Sequence, residues 1–134
     1  MPNNIPIPTE SVEQQTFFEY VDFLIGRFPE LEAIYHIPNE GKRSKSTGAR
    51  MKKEGLVKGV PDIHLPIPKG KYHSLYIELK RTHGAKVSKD QRDRIAILNK
   101  YGNYAVVSYG WEEAAKVLKW YLLGCSGSPD KISI

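Results

Sequence analysis

Apolar positions recur at helical spacing from about Ser11 to Phe28, where Phe17, Tyr20, Val21, Leu24 and Phe28 share one face. Ser11 followed by Gln14 reads as a capping-box start, and Pro29 discourages continuation past Phe28. "AIYHIP", Ala33 to Pro38, reads as a strand. A short helix over Thr47 to Glu54, closed by Gly55, is expected next. Two apolar runs follow in "GVPDIHLPIPKGKYHSLYIELK", joined by the turn-like Pro68-Lys69-Gly70-Lys71, and read as a hairpin. A helix from about Ser88 to Tyr101, with Ile95 and Leu98 inward and Gly102 at its end, precedes a strand over Asn103 to Gly110. Trp111 to Gly124 is a last amphipathic helix, and "CSGSPDKISI" is a polar tail, loose or packed on a partner. The order α-β-(α)-β-β-α-β-α predicts an α/β fold, a small mixed β-sheet flanked by helices.

The hairpin carries charges that its apolar runs do not require. Asp62 opens the first run after Pro61, and Glu78 and Lys80 close the second. Side chains alternate across a strand, so Tyr76, Glu78 and Lys80 share one face and Leu75, Ile77 and Leu79 the other. Glu78 and Lys80 would emerge about 7 Å apart along the strand, with Asp62 alongside from its partner. Two carboxylates brought to one spot repel unless a cation lies between them. Their hard oxygens suit Mg²⁺ or Mn²⁺, with waters and a substrate phosphate completing the shell. A surface salt-bridge cluster at a strand end is the simpler alternative, weakened by the V-P-D placed upstream at hairpin spacing.

Charge is unevenly placed. The segment from Asn39 to Gly59 holds seven Lys or Arg against two Glu, which equals the whole chain's net charge of +5. Lys42, Arg43, Lys45, Arg50, Lys52, Lys53 and Lys58 thus form a basic stretch beside the candidate acidic site, suited to a polyanion such as a phosphate backbone. With 134 residues, one core-bearing domain is expected. It spans 11–123, with an N-terminal extension at 1–10 and a C-terminal tail at 124–134. The opening "MPNNIPIPTE" lacks the basic cluster and apolar core of a secretory signal, so a cytoplasmic location is expected. The lone Cys125 excludes an intramolecular disulfide and a zinc-type cluster.

Two further residues stay open on sequence grounds. Glu13 lies on the face of Phe17, Tyr20 and Leu24, which aims it at the sheet, but Glu10 lies on nearly the same face. An acid near a helix start also serves the helix dipole. In "SKDQ", Ser88 and Gln91 form a capping box, yet Gln91 stands where it could also face the hairpin site. The four histidines show no ligand spacing.

"GVPDI", "YIELK" and "SKDQ" together resemble the PD-(D/E)XK nuclease superfamily, and within it the VRR-NUC family. "EQQTFFEY", "HIPNEGKRS", "GARMKKEGLVKGVPD" and "GWEEAAKVLKWYL" extend the likeness over roughly Glu10 to Leu123. The resemblance implies a restriction-endonuclease-like αβββαβ core and metal-dependent hydrolysis of DNA phosphodiesters. It places the motif acids on Asp62 and Glu78, the motif lysine on Lys80, the helix-one glutamate on Glu13 and the following glutamine on Gln91. The expected metal set is Glu13, Asp62 and Glu78, with the Leu79 carbonyl. Stand-alone members are similar to homodimeric Holliday-junction resolvases, and a two-fold dimer would supply two symmetric cuts. A non-catalytic DNA-binding module is the alternative, as is a flap or sequence-specific endonuclease within the enzyme class.

Overall fold

A computed structural model describes residues 5–38 and 45–134. The first apolar stripe forms helix α1, Glu10–Leu24, burying Phe17, Val21 and Leu24. It starts two residues before the expected capping box. Thr9 is the N-cap, its Oγ1 accepting from the Val12 amide at 3.2 Å, while Ser11 bonds Gln15 within the helix. The helix also stops earlier than expected, at Leu24. Phe28 closes back through its amide to the Leu24 carbonyl at 3.0 Å, and a 3-10 turn over Pro29–Ala33 buries Leu31.

The strands are β1 (Tyr35–His36), β2 (Ile63–Leu65), β3 (Leu75–Lys80) and β4 (Tyr104–Tyr109), adjacent in that order. β1–β2 and β2–β3 are antiparallel, and β3–β4 is parallel. β1 is shorter than the six-residue run expected there, and the expected hairpin is confirmed. Helix α2, Lys45–Lys53, buries no residue, so it owes nothing to the core. Helices α3 (Lys89–Lys100) and α4 (Trp111–Leu122) follow close to their expected bounds.

Alternation divides the sheet into two faces. Ile63, Leu65, Leu75, Ile77 and Leu79 pack with α1 and α4 into one core that includes Ala114, Val117, Leu118 and Tyr121. Each large apolar side chain buried there stabilises the fold by about 2 kcal/mol. The other face carries Tyr76, Glu78 and Lys80, and α3 lies across it toward β4. Ile95 and Leu98, expected to face inward, are only half-buried. Gln91 is the buried residue of α3, because a polar row rather than an apolar one lies beneath this helix. The outward backbone groups of edge strand β4 are partly covered. The Asn99 amide bonds both the N–H and C=O of Ala105, at 2.8 and 3.0 Å, and Glu113 accepts from the Tyr109 amide.

The tail, expected to be loose or to need a partner, instead folds onto α4 of its own chain. Trp120 Nε1 donates to the Gly127 carbonyl at 3.1 Å, and Lys119 Nζ to the Ser133 carbonyl at 2.7 Å. A buried indole N–H needs an acceptor, and the tail backbone provides it.

Gly59 fixes how the chain enters the Asp62 strand. It has φ of +83°, and a Cβ there would stand 2.3 Å from the Asp90 carbonyl oxygen in the first turn of α3. Gly59→Ala is expected to destabilise the protein by about 3 kcal/mol, combining left-handed strain with a backbone clash. Urea unfolding checks this, and an unchanged midpoint would contradict it.

Candidate active site

Strand β3 and the entry to β2 assemble the charged group. Asp62 lies opposite Glu78 one step past the last paired residues, Ile63 and Ile77. Its Oδ2 accepts from the Leu79 amide at 3.0 Å, standing in for the ladder partner that β2 no longer offers. The Leu79 carbonyl shares this side of β3, beyond the ladder, and so lies toward Asp62. Glu78 is 2% exposed. Its Oε1 accepts from Gln91 Nε2 at 2.9 Å, while its buried Oε2 has no hydrogen-bond partner among the described residues.

Gln91 therefore does both things the sequence left open. Its Oε1 takes the Ser88 amide at 2.9 Å and its own amide donates to Ser88 Oγ, completing the capping box. The other end of the same side chain holds Glu78. Lys80, buried at its strand end, reaches Glu78 Oε1 at 3.7 Å and Glu10 Oε1 at 3.9 Å. These separations exceed those of a hydrogen-bonded ion pair, so the ammonium stands among the acids without being locked to either.

Among the described residues Glu13 makes no hydrogen bond or ion pair with Asp62, Glu78 or Lys80, although it lies against Gly110, whose amide donates to the Lys80 carbonyl at 2.8 Å. Glu13 is buried, but its Oε2 accepts from the Trp111 amide at 3.1 Å, at the start of α4. Gly110, with φ of +86°, makes the approach possible, since a Cβ there would come within 2.9 Å of that oxygen. Glu13 borders a separate cavity of about 610 Å³ with Thr82 and Trp111. Glu10, three residues earlier, has its Oε1 3.9 Å from Lys80 Nζ. The expected three-acid set is accordingly not gathered: among the described residues no group of three His, Cys, Asp or Glu is arranged to hold a metal.

The pair that is gathered is electrostatically stressed. Burial, followed by the negative charge of Asp62, pushes the Glu78 carboxyl up to about 8, against a smaller opposing pull from Lys80. Burial also raises Asp62, partly offset by the Leu79 amide. Half-buried Asp62, the buried Glu78 oxygen left unpartnered among the described residues, and a backbone carbonyl on the same side form an all-oxygen donor set. That set fits Mg²⁺ or Mn²⁺.

A pH dependence follows. Folded Glu78 binds its proton more tightly than the unfolded side chain, so its stabilising contribution is full below 4.5 and is lost as pH rises toward about 8. In EDTA, the urea midpoint should fall between pH 5 and pH 8.5, and Glu78→Gln should remove most of that fall. An identical decline in both proteins would contradict the assignment.

Of the basic stretch, Lys45, Arg50, Lys52, Lys53 and Lys58 are exposed on or after α2, and Arg50 pairs with Glu54 at 3.5 Å. Lys42 and Arg43 lie outside the described residues. Among the described residues no helix is long and apolar enough to cross a membrane.

Comparison with known proteins agrees with this architecture. A solved "VRR_NUC domain protein" superposes with a TM-score of 0.74 at 28% identity, covering 88% of this chain and 91% of that one. No curated protein matches the chain. The VRR-NUC domain profile matches residues 19–111, a span that contains Asp62, Glu78, Lys80 and Gln91 but neither Glu10 nor Glu13. The chain belongs to the VRR-NUC family of nucleases.

Proposed function

We propose that this protein is a divalent-metal-dependent, structure-selective DNA endonuclease, acting as a homodimer on four-way (Holliday) junctions. The observation that carries the reading is the pairing of half-buried Asp62 with buried Glu78, where, among the described residues, one Glu78 oxygen is unpartnered and Lys80 is held by no tight ion pair. Asp62, Glu78 and the Leu79 carbonyl would hold Mg²⁺ or Mn²⁺. Glu13, the acid the family resemblance points to, or Glu10, 3.9 Å from Lys80, would add an α1 carboxylate. A cation there would lower the pKa of a bound water and offset charge building on a phosphoryl oxygen.

The protein's own groups supply the rest. Gln91 fixes the Glu78 carboxyl through its 2.9 Å bond, which makes it a positioning residue. Lys80 orients the attacking water and offsets negative charge as the P–O bond of the phosphodiester breaks. The exposed cations of α2, a helix with no buried residue, would follow the DNA backbone. Contacts of that kind position DNA without reading bases, which favours recognition of shape over sequence. Binding should then weaken steeply with salt.

The rival reading, a DNA-binding module whose acids form a structural salt-bridge network, needs short ion pairs. The Lys80 distances of 3.7 and 3.9 Å argue against it. The test is cleavage of a labelled four-way junction with Mg²⁺ or Mn²⁺, beside duplex and flap substrates and an EDTA control. Paired symmetric nicks confined to the junction are expected. Metal-dependent cutting of every substrate would overturn the junction preference, and binding without cutting would overturn the enzyme.

A further inference from the structure

The loop that leaves the motif strand is organised in a way the reaction alone does not explain. After Lys80 the chain runs through Arg81 to Val87 before Ser88 caps α3. The Arg81 guanidinium donates to the Gly84 carbonyl at 3.1 Å, so the loop closes on this side chain. Gly84 has φ of +78°, and a Cβ there would lie 3.3 Å from the same guanidinium. At the far end of the loop, Arg92 donates to the Val87 carbonyl at 2.7 Å, tying the loop to α3. Between the loop and the start of α1 lies an open cavity of about 610 Å³, bordered by Thr9, Glu10, Arg81 and Lys86. Glu10 also stands 3.9 Å from Lys80 Nζ, so cavity and active site share a wall.

The cations of this region are not equivalent. Lys89 is taken up by Asp93 at 2.7 Å, and Lys80 lies between Glu78 and Glu10. Among the described residues neither Arg81 nor Lys86 forms an ion pair with a carboxylate, and both are exposed. A guanidinium with one N–H committed to its own loop is held in place and keeps further donors for an anion. The anion such a site takes beside a phosphodiester-cutting centre is another phosphate of the same substrate.

We propose that Arg81 and Lys86 form a second phosphate site, holding the backbone phosphate next to the one that is cut. This rests on the nuclease reading and deepens it. The α2 cations precede Asp62 in the chain and this pair follows Lys80, so basic groups flank the site in both chain directions. Among the described residues the Glu10 carboxylate is the one opposing charge on the cavity wall, and Lys80 offsets it. By anchoring a neighbouring phosphate, the loop would set which bond reaches Asp62 and Glu78, a contribution of position rather than of chemistry.

Two measurements test it. The first is the salt dependence of DNA binding by the full chain in EDTA, which needs no catalysis. Arg81→Ala/Lys86→Ala should flatten the slope of log affinity against log salt by about one phosphate equivalent. Lys71→Ala/Lys100→Ala removes the same charge from the opposite end of the sheet and should change the slope by less than half as much. The second is cleavage of DNA with a single neutral methylphosphonate beside the cut bond. That substitution should slow the wild-type protein by about tenfold and leave the Arg81/Lys86 variant no slower than it is on normal DNA. Equal slope changes in the two double variants, or equal sensitivity to the methylphosphonate, would overturn the second site with the nuclease reading intact. Failure of the wild-type protein to bind DNA at all would instead overturn both, and would be seen before any variant is made.

Discussion

Glu78→Gln is expected to bring DNA cleavage down to background while leaving DNA binding largely unchanged. The substitution keeps the shape of the side chain and its bond to Gln91, because an amide oxygen accepts from Nε2 as a carboxylate oxygen does. It removes the charge on the oxygen that has no partner among the described residues, the atom best placed to face a cation. It also removes a carboxyl whose burial pushes it up to about 8, so in EDTA at alkaline pH the variant should be the more stable protein. Lost activity together with gained stability is the signature of a site that holds charge at a cost to the fold. Single-turnover cleavage and urea unfolding of the same preparation check it. Retained cutting, or a loss of stability in parallel with activity, would count against the role of Glu78.

Lys80→Ala carries the second large effect, a fall in cleavage of about 10²-fold or more, by analogy with the loss of one preorganised electrostatic donor. The position is buried, so the truncated side chain is not readily replaced by solvent. Its ammonium also pulls the Glu78 carboxyl toward the ionised form. Removing it should raise that carboxyl further and weaken metal binding at neutral pH as well as slowing the chemistry. The effect should therefore shrink partly, though not fully, when pH and Mn²⁺ concentration are raised. Wild-type turnover in this variant would show that the lysine has no part in the reaction.

What was legible in the sequence follows the range over which each feature is determined. Strand alternation in "SLYIELK" places Glu78 and Lys80 on one face and Leu75, Ile77 and Leu79 on the other, and the structure has the leucines and isoleucine in the core. The Ser88–Gln91 capping box is local and forms as read. The α1 start was misplaced because Thr9 and Ser11 both offer a hydroxyl within one turn of the first apolar residue. The earlier one wins, which puts Glu10 and Glu13 together in the first turn.

Glu10 and Glu13 could not be separated from sequence. They differ by less than one helical turn, and the decision is made 98 residues away, where the missing side chain of Gly110 lets Glu13 reach the Trp111 amide. The folding of the tail onto α4 is likewise non-local, set by the need of the Trp120 indole for an acceptor at Gly127. The site-facing role that the sequence leaves open for Gln91 is met, whereas Ile95 and Leu98 are only half-buried, because helical periodicity assumes an apolar surface below. The surface under α3 instead carries Glu78, and the polar residue turns in to meet it. A glutamine three residues after a helix cap, downstream of a strand ending in E-x-K, is the pattern that signals this second use.

The central claim is that Asp62 and Glu78 hold a divalent cation, and calorimetric titration with Mn²⁺ tests it most directly, without DNA and without turnover. The wild-type protein at pH 7 should bind Mn²⁺ with a heat that depends on the ionisation enthalpy of the buffer, because the proton on Glu78 must leave as the ion enters. Asp62→Asn and Glu78→Gln should each abolish that binding. Absence of Mn²⁺ binding in the wild-type protein, or binding that survives unchanged in both variants, would contradict the account.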